Sequence, residues 1–478
     1  MFVTNVKDHT FKLDKNVSGK EAFEKEESLD FTKDDLKFGF ACAAAQIEDG
    51  LNDIWLRHAK AGKVAGFEAD DPKNIRNNFW TNPDDELQYV FDTNVEVFRI
   101  SLDWERICPD GKNFSIDAIN GYRNILKKVK AKGIETMVTL YHHSEPTWSH
   151  DNGSWANNLI VGQFCEYAEF VAKELGDIVD YWNTFNEVQM YITLTQLSGF
   201  WPAPKNKISP LGLFDIGPIK GCFTKSIENV AKAHNRSYSL IKNHSRAPIS
   251  IAHNLAYFIG EDFLGTIGAK ISWKKFNFLL IDLIKENLDF LGINYYGAEL
   301  LRGFKLNLSE RFEYSDSGRA IYPKGFYEMI KIFYQKYNKP IFITENGMSD
   351  AVDTMREKYM VEHLKAVKMA MLEGVPIMGY IWWSMTDNLE WADGYAPKFG
   401  LVEVKREGDK IIRKKRKSYE LYKKIVQERV LSSNHLDEIE DNYKSVIGKE
   451  RAMSRGEDAQ TALSDFRYQK VKDIDWGI

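Results

Sequence analysis

The sequence predicts a single-domain (β/α)8 TIM barrel with loop insertions and a C-terminal extension, and three observations carry that expectation. Eight short apolar or aromatic runs recur from residue 37 onward. Each is separated from the next by a stretch long enough for at least one helix. Two of these stretches, "GYRNILKKVKAKG" and "REKYMVEHLKAVKMAMLEG", place apolar residues three to four apart and end on glycine. Strands that alternate with helices pair in parallel. Eight units over roughly 400 residues fit a closed barrel with long loops better than the alternative, an open doubly wound sheet.

In order, the runs are "KFGFACAA" near 37–44, "VEVFRIS" at 95–101, "ETMVTLY" at 135–141, "VDYWNTF" at 179–185, "PISIAHN" at 248–254, "DFLGINYY" at 289–296, "PIFIT" at 340–344 and "IMGYIWWS" at 377–384. A barrel carries its reactive groups at the C-terminal strand ends, so the residues that close each run are the informative ones. They are Gln46, Arg99, His142, Asn186 with Glu187, His253 with Asn254, Asn294 with Tyr296, Glu345, and Trp383 followed by "TDNLEW". In "KPIFITENGMSD" a run apolar enough to be buried on both faces stops at Glu345. One such end only marks where a strand reaches water. Eight ends that are all polar or aromatic describe a pocket at one mouth of the barrel.

The barrel is expected over 36–426, with a polar N-terminal segment at 1–35 and a charged helical extension at 427–478. The chain has 478 residues, 12 of them Trp and 22 Tyr, which is rich for packing alone and suits an aromatic-lined cleft of the kind that holds carbohydrate. A net charge of -5 gives no global attraction to nucleic acid or an anionic membrane. Cys42, Cys108, Cys165 and Cys222 form no CxxC pair and read as buried thiols of a reducing compartment, hence a cytoplasmic location. The polar start has no apolar leader, and no run of about 18 apolar residues follows, so neither an export signal nor a membrane span is expected. The basic cluster "RKKRK" at 413–417 reads as the solvated face of the last barrel helix, with weak contact to anionic lipid heads as the other reading.

Two carboxylates facing one another in such a pocket suit glycoside hydrolysis, and the candidates are Glu187 and Glu345. Arg99 is expected to hold Glu345 ionised, while Glu187, less compensated, keeps its proton near neutral pH. His142 and His143 lack the further His or Cys of a metal site, and no GxSxG elbow, GxGxxG or P-loop is present. No metal and no cofactor is therefore expected.

These residues resemble glycoside hydrolase family 1, the β-glucosidase family of retaining (β/α)8 enzymes, from about 36 to 426. "TFNEV" is similar to the family's acid/base motif, "ITENG" to its nucleophile motif, and "WWSMTDNLEWADGYAPKFGLVEV" to its last-strand signature. The resemblance implies that Glu345 is the nucleophile and Glu187 the acid/base. It also implies that Arg99 and Tyr296 steer Glu345 and that Asn186, beside Asn294, bonds the sugar 2-hydroxyl. Gln46, His142, Glu390 and Trp391 would read the remaining hydroxyls, with Trp383 as sugar platform and Phe399 in the wall. Three positions depart from the family pattern: Val188 in place of Pro, His143 in place of Trp, and Ala45 in place of Tyr. Within the family, "HHSEPTW", the long stretch from 349 to 404 and the ending "VKDIDWGI" resemble the branch that holds the plant galactolipid galactosyltransferase of freezing tolerance and its bacterial relatives. That branch implies a transglycosidase as the alternative to a soluble hydrolase of β-glucosides or β-galactosides. Glu390 and Phe399, standing where a 6-phosphate would need cationic and hydrogen-bonding partners, imply no useful activity on 6-phosphoglycosides.

Overall fold

The structure is a computed structural model that describes residues 28–204, 209–215, 219–309 and 311–443. Eight parallel strands form its centre: β1 (Lys37–Cys42), β2 (Val97–Ser101), β3 (Glu135–His142), β4 (Tyr181–Asn186), β5 (Ile249–Gly260), β6 (Leu291–Arg302), β7 (Ile341–Asn346) and β8 (Ile377–Trp382). Each pairs with its neighbours in chain order, β8 pairs with β1, and the ring closes as a barrel. Strands β2, β4 and β7 are buried along their whole length, which is why they read as runs rather than as alternating patterns.

Helices wrap the outside: α1 (Asp84–Thr93), α2 (Ile116–Lys130), α3 (Leu159–Leu175), α4 (Cys222–Lys242), α5 (Phe263–Ser272), α6 (Pro323–Tyr337), α7 (Arg356–Leu372) and α8 (Lys417–Glu428). The start of α2 is set by Ser115, whose hydroxyl accepts from the Ala118 N–H at 3.1 Å. The helix then buries Ile119, Tyr122, Leu126 and Val129 against the barrel.

Strands β5 and β6 run well past the expected ends at Asn254 and Tyr296. They stay paired to Gly260 and Leu301, so a two-stranded ribbon stands above the barrel mouth, and β6 then turns back through Lys305–Asn307. Register shifts fall near the C-terminal ends of β4, β7 and β8 and at Ile293/Asn294 early in β6, where irregular pairing re-aims side chains towards the mouth.

Both expected domain boundaries are bridged. Ser28–Asp30 pairs antiparallel with Val430–Ser432, Leu29 and Leu431 are buried, and the Phe31 ring packs edge-on to Phe38 at 5.8 Å. The barrel therefore recruits residues from both flanks to cover the start of β1. A further helix, α9 (Ser433–Asn442), follows, while the expectations for 1–27 and for 444–478, including "VKDIDWGI", lie outside the described residues.

The basic cluster is not a face of the last helix. It lies on the hairpin formed by Val402–Glu407 and Lys410–Lys415 and on the turn into α8. Arg413 pairs with Glu86, Lys415 with Asp92, Arg416 with Asp387 and Lys417 with Glu357, so most of its charge is neutralised within the chain.

Candidate active site

The strand ends converge, and all twelve expected site residues meet at one mouth. Arg99, from the middle of β2, donates from Nη1 to Glu345 Oε1 at 2.5 Å and from Nη2 to Asn186 Oδ1 at 2.7 Å. The Tyr296 hydroxyl donates to Glu345 Oε2 at 2.6 Å, so both nucleophile-candidate oxygens are held. Asn294 Nδ2 bridges to Asn186 Oδ1 at 3.0 Å and to Glu187 Oε1 at 2.8 Å, and its own oxygen accepts from Thr344 at 2.7 Å. The two carboxyls thus belong to one buried network.

Backbone geometry supports this placement. Glu187 heads the short helix Val188–Ile192 with φ 43, and His143 and Trp391 also sit at positive φ, 56 and 52. Non-glycine side chains adopt this region uncommonly, at a cost the surrounding structure must offset. After Glu345, a Cβ on Gly347 would collide with the Trp383 carbonyl, so glycine lets the ends of β7 and β8 touch. Trp383 is thereby brought to the same rim as Glu345.

Opposite the carboxyls, Gln46 sits in the short helix Ala44–Ile47 after β1. Its amide donates to the Leu389 carbonyl at 2.8 Å and to Glu390 Oε2 at 3.2 Å, while its oxygen is buried and has no partner. His142 stands between Trp383 and Trp391, with ring centroids 5.6 and 5.8 Å away. Its Nε2 lies 2.9 Å from the Asn186 side-chain nitrogen and must accept there, which leaves the proton on Nδ1, also buried and unpartnered. Burial holds His142 well below its ordinary pKa, so the ring is neutral. Phe399 packs edge-on to Tyr296 at 6.0 Å.

Electrostatically the free pocket runs against the expectation that Arg99 holds Glu345 ionised while Glu187 keeps its proton: the Glu345 pKa is raised and that of Glu187 lowered. Burial pushes Glu345 up to about 7; the Arg99 charge opposes this and the Glu187 charge adds to it. Burial also works against a charged Glu187, but His143, Asn294 and Arg319 together bring its pKa below the ordinary value. The pair therefore holds one proton between its members near neutral pH. Burial and the Asp393 charge push Glu390 up to about 8. Below that pH the bar to a phosphate rests on burial and Phe399, not on a fixed charge at Glu390.

Three contributors were not among the expected site residues. His143, one of the departures from the family pattern, places Nε2 3.9 Å from Glu187 Oε2. Trp201 packs against His143 at 4.9 Å and Trp391 at 5.7 Å, extending the aromatic wall. Arg319 stands 5.3 Å from the centre of the Tyr296 ring. Beyond them the mouth opens into a cavity of about 320 Å³ lined by Glu390, Trp391 and Phe399, by further apolar side chains of which leucine and phenylalanine are the commonest, and by the charged Lys275, Glu299, Arg319 and Asp393. Among the described residues, no group of three or more His, Cys, Asp or Glu gathers as a metal site would require.

Residues 29–262 and 274–430 match the family described as Glycosyl hydrolase family 1. The chain is 35% identical to the chloroplastic galactolipid galactosyltransferase SFR2 of Arabidopsis thaliana, over 94% of this chain and 83% of that protein. It is 28% identical to β-glucosidase A of Acetivibrio thermocellus, over 84% of this chain and 98% of that protein. The solved β-glycosidase from Pyrococcus horikoshii superimposes with a TM-score of 0.75 at 27% identity, covering 86% of this chain and 98% of the other.

Proposed function

Because the chain belongs to glycosyl hydrolase family 1, we propose that it hydrolyses β-glucosides or β-galactosides through a covalent glycosyl-enzyme intermediate, with Glu345 as nucleophile and Glu187 as acid/base. The observation that carries the sugar reading is the pair of buried orphan atoms, the Gln46 oxygen and the His142 Nδ1–H. One accepts and the other donates, which suits hydroxyls, since a hydroxyl does both. Trp383 and Trp391 offer faces for stacking on a neutral hexopyranose.

In the reactive form the shared proton sits on Glu187. Glu345 receives two hydrogen bonds that favour its charge, from a guanidinium and a phenol, whereas the hydrogen bond to Glu187 is from a neutral amide. The remaining pull on Glu187 comes largely from His143, and burial lowers that imidazole's own pKa, so it is uncharged at neutral pH. Glu345 attacks the anomeric carbon as the bond to the leaving oxygen breaks, and Glu187 delivers its proton to that oxygen. In the second half Glu187, now a carboxylate, takes a proton from water. The water oxygen displaces Glu345, and two inversions leave the configuration unchanged. Asn186, fixed by Arg99 and His142, stands beside the nucleophile for the 2-hydroxyl.

A second reading, transfer of the sugar to another sugar rather than to water, is favoured by the apolar walls of the cavity, which disfavour water on the leaving-group side. The same two carboxyls serve both outcomes, and a glycolipid could supply acceptor and donor alike. We also infer a reducing, cytoplasmic location, from four cysteines that form no CxxC pair and stay free. Incubation with a nitrophenyl β-glucoside, alone and with monogalactosyl lipid in vesicles, separates the readings. Release of free sugar supports hydrolysis, and accumulation of oligogalactolipid with little free galactose supports transfer. No release at any pH, with the sugar still bound, would leave only a binding protein.

A further inference from the structure

Helix α5 is amphipathic the wrong way round. Its protein-facing side is Gly265, Gly268 and Ala269, whereas Phe263, Leu264 and Ile267 are 75, 50 and 37% exposed. A helix folded only onto its own domain would turn those three inward. The inversion is built in: a Cβ on Gly265 would collide with the Leu301 carbonyl of β6, so small residues are what let α5 lie flat on the ribbon. Beside it, β6 turns back through Gly303 and Phe304, and Phe304 stands 56% exposed at the tip of that hairpin.

This apolar surface adjoins the catalytic cavity. Phe304 forms part of the cavity wall, as do Leu301 from β6 and Ser272 from the end of α5. Positive charge surrounds it. Lys270 and Lys274 continue the outward stripe of Phe263 and Ile267 at seven-residue spacing, and Arg302 and Lys305 flank Phe304. All four are exposed, and none forms an ion pair among the described residues. By contrast "RKKRK" is mostly neutralised by its own acids. Large apolar side chains interleaved with such cations match the boundary between headgroups and acyl chains of an anionic bilayer, into which the rings insert while the lysine and arginine heads reach phosphates. A protein partner of the same apolarity would leave those cations unexplained.

From this juxtaposition we propose that helix α5 and the Phe304 hairpin seat the mouth of the cavity on an anionic lipid bilayer, so that a glycolipid enters the site with its sugar towards Glu345 and its acyl portion along the leucine and phenylalanine walls. The substrate half of this inference rests on the glycosidase reading; the docking half does not. No described helix is long and apolar enough to cross a membrane, and this mode of attachment needs none.

The test uses the full chain in flotation with phosphatidylcholine vesicles, with and without phosphatidylglycerol. It compares the wild type with a triple variant, Phe263→Gln, Leu264→Gln and Ile267→Gln, and separately with Phe304→Gln. All four positions are exposed, so folding is expected to survive, and circular dichroism checks it. Wild type is expected to float with the anionic vesicles and to release at high salt, and the triple variant to bind about tenfold or more weakly. In the triple variant, whose three positions lie outside the cavity lining, hydrolysis of a β-glycolipid held in the vesicles should fall in parallel, with nitrophenyl β-glucoside turnover unchanged. Wild type that stays unbound, or variants that float equally well, would overturn the proposal. So would a wild-type dimer that becomes monomeric in the triple variant without any vesicle binding, since the surface would then belong to a second copy. Should the nitrophenyl glucoside not be cleaved, the glycosidase reading fails while flotation still decides the docking.

Discussion

Glu345 has one oxygen on the Arg99 guanidinium and the other on the Tyr296 hydroxyl, so its function depends on charge and position together. Glu345→Gln keeps the shape and removes the nucleophile, and turnover is expected to fall about 10⁴-fold or more. Azide should restore product of inverted configuration, and a variant retaining wild-type rate would remove the assignment. The shared proton has its own signature. With Glu345 pushed up to about 7, the pair loses that proton above neutral pH, and kcat/KM on an alkyl glycoside should decline there because no acid is left. In Glu187→Gln the decline should vanish on an activated aryl glycoside, which needs no proton, and slow alkyl substrates should suffer far more than aryl ones. A basic limb that persists in this variant would place the titrating acid elsewhere. At this scale the sequence was a good guide wherever a motif surrounds the residue, as in "ITENG" and "TFNEV". It was silent on Arg319, a single cation in "SDSGRA" carried to the mouth by one isolated bridge between Ala298 and Ala320. Nothing periodic marks such an arrival.

Among the elements, the eight strands were legible because burial on both faces turns each into an apolar run bounded by turns. Where β5 and β6 end was not legible. Past Asn254 and Tyr296 the chain stays apolar, so no change of pattern separates barrel from ribbon, and only the pairing of Tyr257 with Ala298 and onward shows that they continue. Helix α5 eluded the pattern for a related reason: its apolar residues point outward and its inner face is glycine and alanine. Close approach between β7 and β8 gives a prediction at this scale. Gly347→Val must push the end of β7 from the Trp383 carbonyl, moving Glu345 against the sugar platform, and kcat/KM should fall about tenfold or more with the protein still folded. Unaltered kinetics in that variant would show that the contact does not position the site.

Across the whole molecule, a barrel recruiting strands from both flanks buries many ionisable groups, and their balance sets how stability varies with pH. Burial pushes Glu345 up to about 7 and Glu48 and Glu390 up to about 8, from an ordinary 4.5. Each contributes stability that is present below pH 4.5 and is lost as pH rises through its folded value. Burial also lowers His234 and His253 to about 4, from 6.5. Their contribution is present above pH 6.5 and is lost as pH falls towards 4. Above pH 6.5 these histidines no longer change, while the carboxyls, and towards pH 9 the thiols that burial pushes up, still lose stability, so the melting temperature is expected to be lower at pH 9 than at pH 6.5, and a flat or rising profile there would contradict this balance. On the proposed function, the barrel serves to hold Glu345 as a nucleophile that forms a bond to the sugar. The most direct test is to trap that bond with a 2-deoxy-2-fluoro β-glucoside, whose fluorine slows release of the sugar from the enzyme, and to locate the adduct by peptide mass spectrometry. The predicted result is one sugar per chain, on the peptide containing Glu345, forming as activity disappears. A label on Glu187 or on any other residue, or sustained inactivation with no covalent sugar, would contradict it.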